Sequence, residues 1–117
     1  MTRAVELSAT VTSLGIEDVK VGDGAVATPG RRVRVHYTGT LMEGTEFDSS
    51  KGGQPYAFVL GQREVIAGWD EGIKGMKVGG KRRLTIPARM AYGSRSPGPG
   101  IPPNAALKFD VELVGVE

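Results

Sequence analysis

Leu107, Phe109, Val111 and Leu113 alternate with Lys108, Asp110 and Glu112, so an extended segment puts four apolar side chains on one face and charge on the other. The same period of two sets Val33, Val35 and Tyr37 against Arg32, Arg34 and His36. Such runs bury their apolar faces as half-buried antiparallel strands. Fainter runs span 15–20, 45–48, 56–60 and 81–86; in the last, Leu84 and Ile86 face inward and Pro87 ends the run. The eighteen glycines and seven prolines fall between the runs, where they punctuate turns.

Residues 65–76 break the pattern. Ile66, Trp69, Ile73 and Met76 recur at spacings of three and four, one stripe on a helix of about two to three turns. Gly68, Gly72 and Gly75 each cost about 1 kcal/mol relative to alanine, so packing against the sheet must hold this helix. One short helix and about five strands predict an α+β architecture, an antiparallel sheet curled over the helix. No internal repeat or second domain is visible. Residues 1–13 read as an N-terminal extension in which Val5, Leu7, Ala9 and Val11 alternate like an extra edge strand, and residues 14–117 as the domain.

Composition narrows the chemistry. A chain of 117 residues falls in the single-domain range and buries roughly two-thirds of its unfolded surface. It has no cysteine, which removes disulfides, thiolate catalysis and cysteine-based metal sites. A net charge of +2 from fifteen basic and thirteen acidic residues is too weak and mixed for nucleic acid. The segment from Met1 to Leu7 has no apolar stretch of a secretory leader, and nothing approaches the ~20 apolar residues of a membrane span. The expectation is a cytoplasmic protein, monomeric because no surplus apolar stripe is left over.

Conventional catalytic groups are scarce. His36 is the only histidine and lies on a polar strand face beside Arg34, which reads as a structural residue and not a general base. One histidine without cysteine predicts no metal site. Val78-Gly79-Gly80-Lys81 lacks P-loop spacing and reads as a hairpin turn. Asp70-Glu71 and Glu17-Asp18 are adjacent and point apart, as on a solvated face. What remains is seven aromatics, Tyr37, Phe47, Tyr56, Phe58, Trp69, Tyr92 and Phe109. Several flank turn signals, where a pocket rim would lie; Phe58 and Phe109 suit the core equally. Trp69 stands between Gly68 and Gly72, whose small size would leave the indole face open to a ligand.

The segments Val35-His36-Tyr37-Thr38-Gly39, Phe47-Asp48-Ser49-Ser50, Phe58-Val59-Leu60-Gly61, Glu64-Val65-Ile66-Ala67-Gly68-Trp69-Asp70-Glu71-Gly72, Ala91-Tyr92-Gly93, Ile101-Pro102-Pro103-Asn104-Ala105 and Phe109-Asp110-Val111-Glu112-Leu113 resemble those of the FKBP family of prolyl isomerases, in order and approximate spacing. The resemblance runs from about Gly15 to Glu117 and is to a small single-domain member. It implies a half-barrel of five to six antiparallel strands wrapped around one short helix. It also implies a peptidyl-prolyl cis/trans isomerase that assists folding with no metal, cofactor or covalent intermediate.

By the same resemblance Trp69 is the floor beneath a substrate prolyl ring, with Tyr37, Phe47, Tyr56, Val65, Ile66 and Phe109 as walls and Glu64 at the substrate-binding side. The Ile66 N–H and the Tyr92 hydroxyl donate to substrate carbonyls, Asp48 accepts, and Ile101 sits in a flap above. The implied partners are X-Pro segments of proteins or peptides and the macrolides tacrolimus and rapamycin. The chain departs from the family at the short loop 51–54, which brings no arginine toward Asp48, at Tyr56 where phenylalanine is common, and in the flap 94–100, rich in proline and glycine. Two other readings are a module that docks proline-containing partners without needing turnover, and a holdase. The holdase ranks low because only a short loop joins Tyr92 to Ile101.

Overall fold

In the computed structural model, which describes residues 7–98 and 100–117, the alternation at 107–113 becomes a central strand. The strands are β1 (Gly15–Lys20), β2 (Arg32–Leu41), β3 (Glu46–Ser49), β4 (Tyr56–Val59), β5 (Lys81–Ile86) and β6 (Leu107–Val116), with helix α1 (Ala67–Ile73) between β4 and β5. The sheet runs β1-β5-β6-β2-β3, and β4 also pairs with β2. All pairings are antiparallel, with Leu84 opposite Phe109, Gly39 opposite Phe109 and Val35 opposite Leu113. One face of this register is sealed: Val33, Val35, Leu84, Ile86, Leu107 and Leu113 are fully buried. The four fainter runs match their strands within a residue, whereas β2 and β6 run on past the clear alternation to Leu41 and Val116. β1 is an exposed edge strand.

Helix α1 lies against the sealed face, with Trp69, Ile73 and, beyond its end, Met76 buried. Gly68 and Gly72 face β5, contrary to the expectation that they bare the indole. A Cβ on Gly68 would stand 2.5 Å from Ile86 Cγ2, and one on Gly72 would stand 2.7 Å from Leu84 Cδ2. The glycines let the helix approach the sheet, and Trp69 is only 5% exposed. The helix end is capped from outside: Arg82 Nη1 donates to the Gly72 and Lys74 carbonyls at 2.8 and 3.1 Å. Asp18 holds that guanidinium at 2.7 Å. Such partners are needed because the last carbonyls of a helix have no intrahelical donors.

Three further expectations are corrected. Asp70 is not merely solvated: its oxygens accept the Gly61 and Arg63 N–H groups at 2.8 and 3.1 Å, tying the preceding loop to the helix. The 78–81 segment is a turn but not a hairpin, since Lys77 before it bridges to Val26 and not to β5. The alternation of Val5, Leu7, Ala9 and Val11 makes no edge strand: Leu7 and Ser8 are helical, and the Val11 N–H donates to the Ser8 carbonyl at 3.0 Å; Val5 lies outside the described residues. The helical turn carries Ser8 inward to a backbone partner in the body of the domain, which outweighs a weak alternation. Among the described residues no helix is long and apolar enough to cross a membrane.

Candidate active site

The curl of the sheet over α1 leaves a cavity of about 470 Å³ lined by Tyr37, Phe47, Asp48, Tyr56, Glu64, Val65, Ile66, Trp69, Tyr92 and Phe109. Six of the chain's seven aromatics meet there from β2, β3, β4, α1, β6 and the loop after β5. The seventh, Phe58, is buried behind Trp69 at 5.8 Å between centroids. Trp69 forms the centre, edge-to-face with Tyr37 at 5.0 Å and with Phe109 at 5.2 Å. Tyr56 meets it at 6.1 Å, and Phe47 meets Phe109 at 5.6 Å, both near perpendicular. Edge-to-face contacts of this kind add about 0.5–1.5 kcal/mol per pair beyond burial, so the walls are mutually braced.

Gly39 makes this packing possible, and it is a functional position that residue-by-residue reading passed over. A Cβ there would stand 2.6 Å from Phe47 Cζ and 2.7 Å from Phe109 Cε1. The signal was a glycine inside an otherwise regular strand, which marks close approach by a neighbour.

The polar groups of the cavity are few. Tyr37 donates its hydroxyl to Asp48 Oδ2 at 2.8 Å, while Asp48 Oδ1 accepts the Ser49 N–H at 2.8 Å. Burial, then the hydrogen bond and the charge of Asp48, push the Tyr37 hydroxyl up from 10.0 to about 12. Burial, then the charge of Asp48, also raises Tyr92. Both phenols therefore keep their protons at neutral pH and can donate. Tyr37 is thus the side-chain partner of Asp48. Glu64 Oε1 accepts the Val59 N–H at 3.1 Å, so this carboxylate braces the rim through β4. Ile66 precedes α1 with φ −59 and ψ 150. Its carbonyl accepts from Trp69 at 2.9 Å, and among the described residues its N–H has no backbone partner.

Ten of the eleven anticipated residues thus line one cavity, and Ile101 does not. Ile101 is buried in the core cluster, bridged to Gly98, with its carbonyl accepting the Ser96 hydroxyl at 2.6 Å. Its side chain packs among the core residues, and the flap approaches Phe47 through Gly100 instead. His36 lies on the outer face, its Nδ1 2.9 Å from Ser50 Oγ, as a structural histidine. A hollow of about 480 Å³ lies beside it, and within its wall Arg83 pairs with Asp110 at 2.9 Å and Arg82 with Asp18 at 2.7 Å. Among the described residues no group of three His, Cys, Asp or Glu could hold a metal ion.

A family model described as FKBP-type peptidyl-prolyl cis-trans isomerase matches residues 24–114. The FK506-binding protein of Neisseria meningitidis serogroup A is 55% identical over 105 residues, covering 89% of this chain and 96% of that protein. FK506-binding protein 4 of Neurospora crassa is 55% identical over 107 residues, which are 92% of this chain but 23% of that protein. The chain therefore spans about a quarter of that fungal relative and nearly all of the bacterial one. A solved structure described as the crystal structure of AtFKBP13 superposes with a TM-score of 0.83 at 42% identity, covering 89% of this chain and 93% of that one.

Proposed function

The chain belongs to the FKBP-type peptidyl-prolyl cis-trans isomerase family, and from that premise we propose that it catalyses rotation about X-Pro bonds in the aromatic cavity over Trp69. The observation that carries the reading is the cavity's composition: six aromatic rings, with its two carboxylates, Asp48 and Glu64, already accepting from the Tyr37 hydroxyl and from backbone N–H groups. The ~18–20 kcal/mol barrier to amide rotation arises from resonance that charges nitrogen and oxygen oppositely. Twisting the bond abolishes that charge separation. An apolar cavity therefore disfavours the planar amide relative to the twisted one, and walls that fit a twisted prolyl segment add differential binding. The Ile66 N–H, without a backbone partner among the described residues, and the Tyr92 hydroxyl are suited to hold the flanking carbonyls while the prolyl ring rests on Trp69. Each tenfold acceleration needs only about 1.4 kcal/mol, so desolvation and one or two hydrogen bonds suffice without acid, base or nucleophile.

The proposal extends to macrolide binding in the same cavity, supported by relatives named as FK506-binding proteins. It also takes the chain as a cytoplasmic monomer acting on exposed X-Pro segments, a reading supported by its cysteine-free, evenly charged composition. The test is an isomerisation assay on a series of X-Pro peptides, with tacrolimus as competitor. The chain is expected to accelerate rotation, the drug to abolish that acceleration, and Trp69→Ala to lose at least about tenfold, the equivalent of one large buried contact. A folded chain that binds the drug yet accelerates no peptide would shift the function to proline-segment docking.

A further inference from the structure

The segment before β1 holds the body of the domain at two points, and both are roots of the loop that carries Tyr92. That loop leaves the short 3-10 turn Ala88–Met90, delivers Tyr92 to the cavity rim and returns into β6 at Leu107. At the outgoing root, Arg89 Nη2 donates to the Thr12 carbonyl at 2.9 Å. At the returning root, the Ala106 N–H donates to Ser8 Oγ at 2.7 Å. Ser8 is 6% exposed, the one buried polar side chain among the described residues. Between these two contacts the segment and the roots enclose an open hollow lined by Ser8, Val11, Thr12, Pro87, Arg89 and Asn104, so the hold on the roots comes from the two hydrogen bonds.

Asn104, two residues before Ala106, has φ 61, a left-handed turn that asparagine adopts more readily than most residues. Its N–H closes the base of the loop on the Gly93 carbonyl at 2.8 Å, directly after Tyr92. Fixing Ala106 and Arg89 thus fixes the base on which Tyr92 stands. Neither Ser8 nor Arg89 lines the cavity.

We propose that residues 7–12 are a strap across the two roots of the Tyr92 loop, and that Ser8 and Arg89 are positioning residues that hold the Tyr92 hydroxyl in place for substrate. This rests on the isomerase reading above. It is tested in the full chain with Ser8→Ala and Arg89→Met, by kcat and KM on an X-Pro peptide and by amide hydrogen exchange. Each variant is expected to raise KM about fivefold, the worth of one lost hydrogen bond, with kcat close to the parent's. The Asn104 amide should exchange faster while amides in the centre of β6 do not, and Arg89→Lys, which keeps a donor, should restore KM. Parental KM and parental Asn104 exchange in both variants, with only a lower melting temperature, would overturn the strap. Should Ser8→Ala fail to fold, Arg89→Met, altered at an exposed side chain, decides the matter alone. Should the parent turn over no peptide, the isomerase reading fails; faster Asn104 exchange then still sustains the strap and unchanged exchange overturns it.

Discussion

Tyr37 shows how one residue serves the wall and the electrostatics of the cavity together. Its ring leans on Trp69 at 5.0 Å, and its hydroxyl is held by Asp48 at 2.8 Å. Because folding raises this phenol from 10.0 to about 12, the unfolded chain releases the proton first as pH climbs. The stabilisation is complete below pH 10 and is lost as pH rises through 12. Spectrophotometric titration should find one tyrosine ionising near 12, with Asp48→Asn lowering it, and isomerisation flat through the neutral range. Three tyrosines titrating together at the ordinary value would contradict this. The aromatics themselves were legible in the sequence by type and by nearness to turns. That Tyr37 pairs with Asp48 was not, because the bond joins two strands and depends on the β2–β3 register.

At the scale of the element, α1 is poor in propensity and rich in contact. Its glycines pack on Ile86 and Leu84, so Gly68→Ala sets two effects against each other. Alanine gains about 1 kcal/mol of helix propensity, while forcing a methyl to 2.5 Å from buried Ile86 costs about 1–3 kcal/mol as overpacking. Overpacking wins because Ile86 is itself fully buried and has nowhere to move. Urea denaturation should show net destabilisation; a midpoint equal to or above the parent's would mean the helix can step back from β5 at little cost. The stripe of Ile66, Trp69, Ile73 and Met76 announced the helix, although only Ala67–Ile73 is helical. The orientation of the glycine face could not be read in advance, since a glycine leaves no pattern of its own and acquires a role only from the side chains opposite. The same holds for Arg82, whose capping of α1 reaches from another element.

Across the whole molecule, the centre of the sheet joins β2, early in the chain, to β6 at its end. Pairing of such distant segments places folding in the range of ms to s, slower than helical domains of this size. Leu113, fully buried opposite Val35, belongs to this seam and not to the cavity. Leu113→Ala should cost about 2–5 kcal/mol in denaturant while leaving KM for an X-Pro peptide unchanged. A changed KM with intact stability would mean that seam and cavity are not separable. Period, glycine placement and residue type are local properties, and from them alone follow a half-wet antiparallel sheet, one helix against it and a site made of aromatics instead of acids and bases. Tertiary structure alone decided that Ser8 would anchor the loop carrying Tyr92, that Ile101 would turn into the core and that Gly39 would make room for Phe47 and Phe109. The first and the last depend on what distant parts of the chain bring alongside, Ala106 against Ser8 and Phe109 against Gly39, and no window of neighbouring residues contains them.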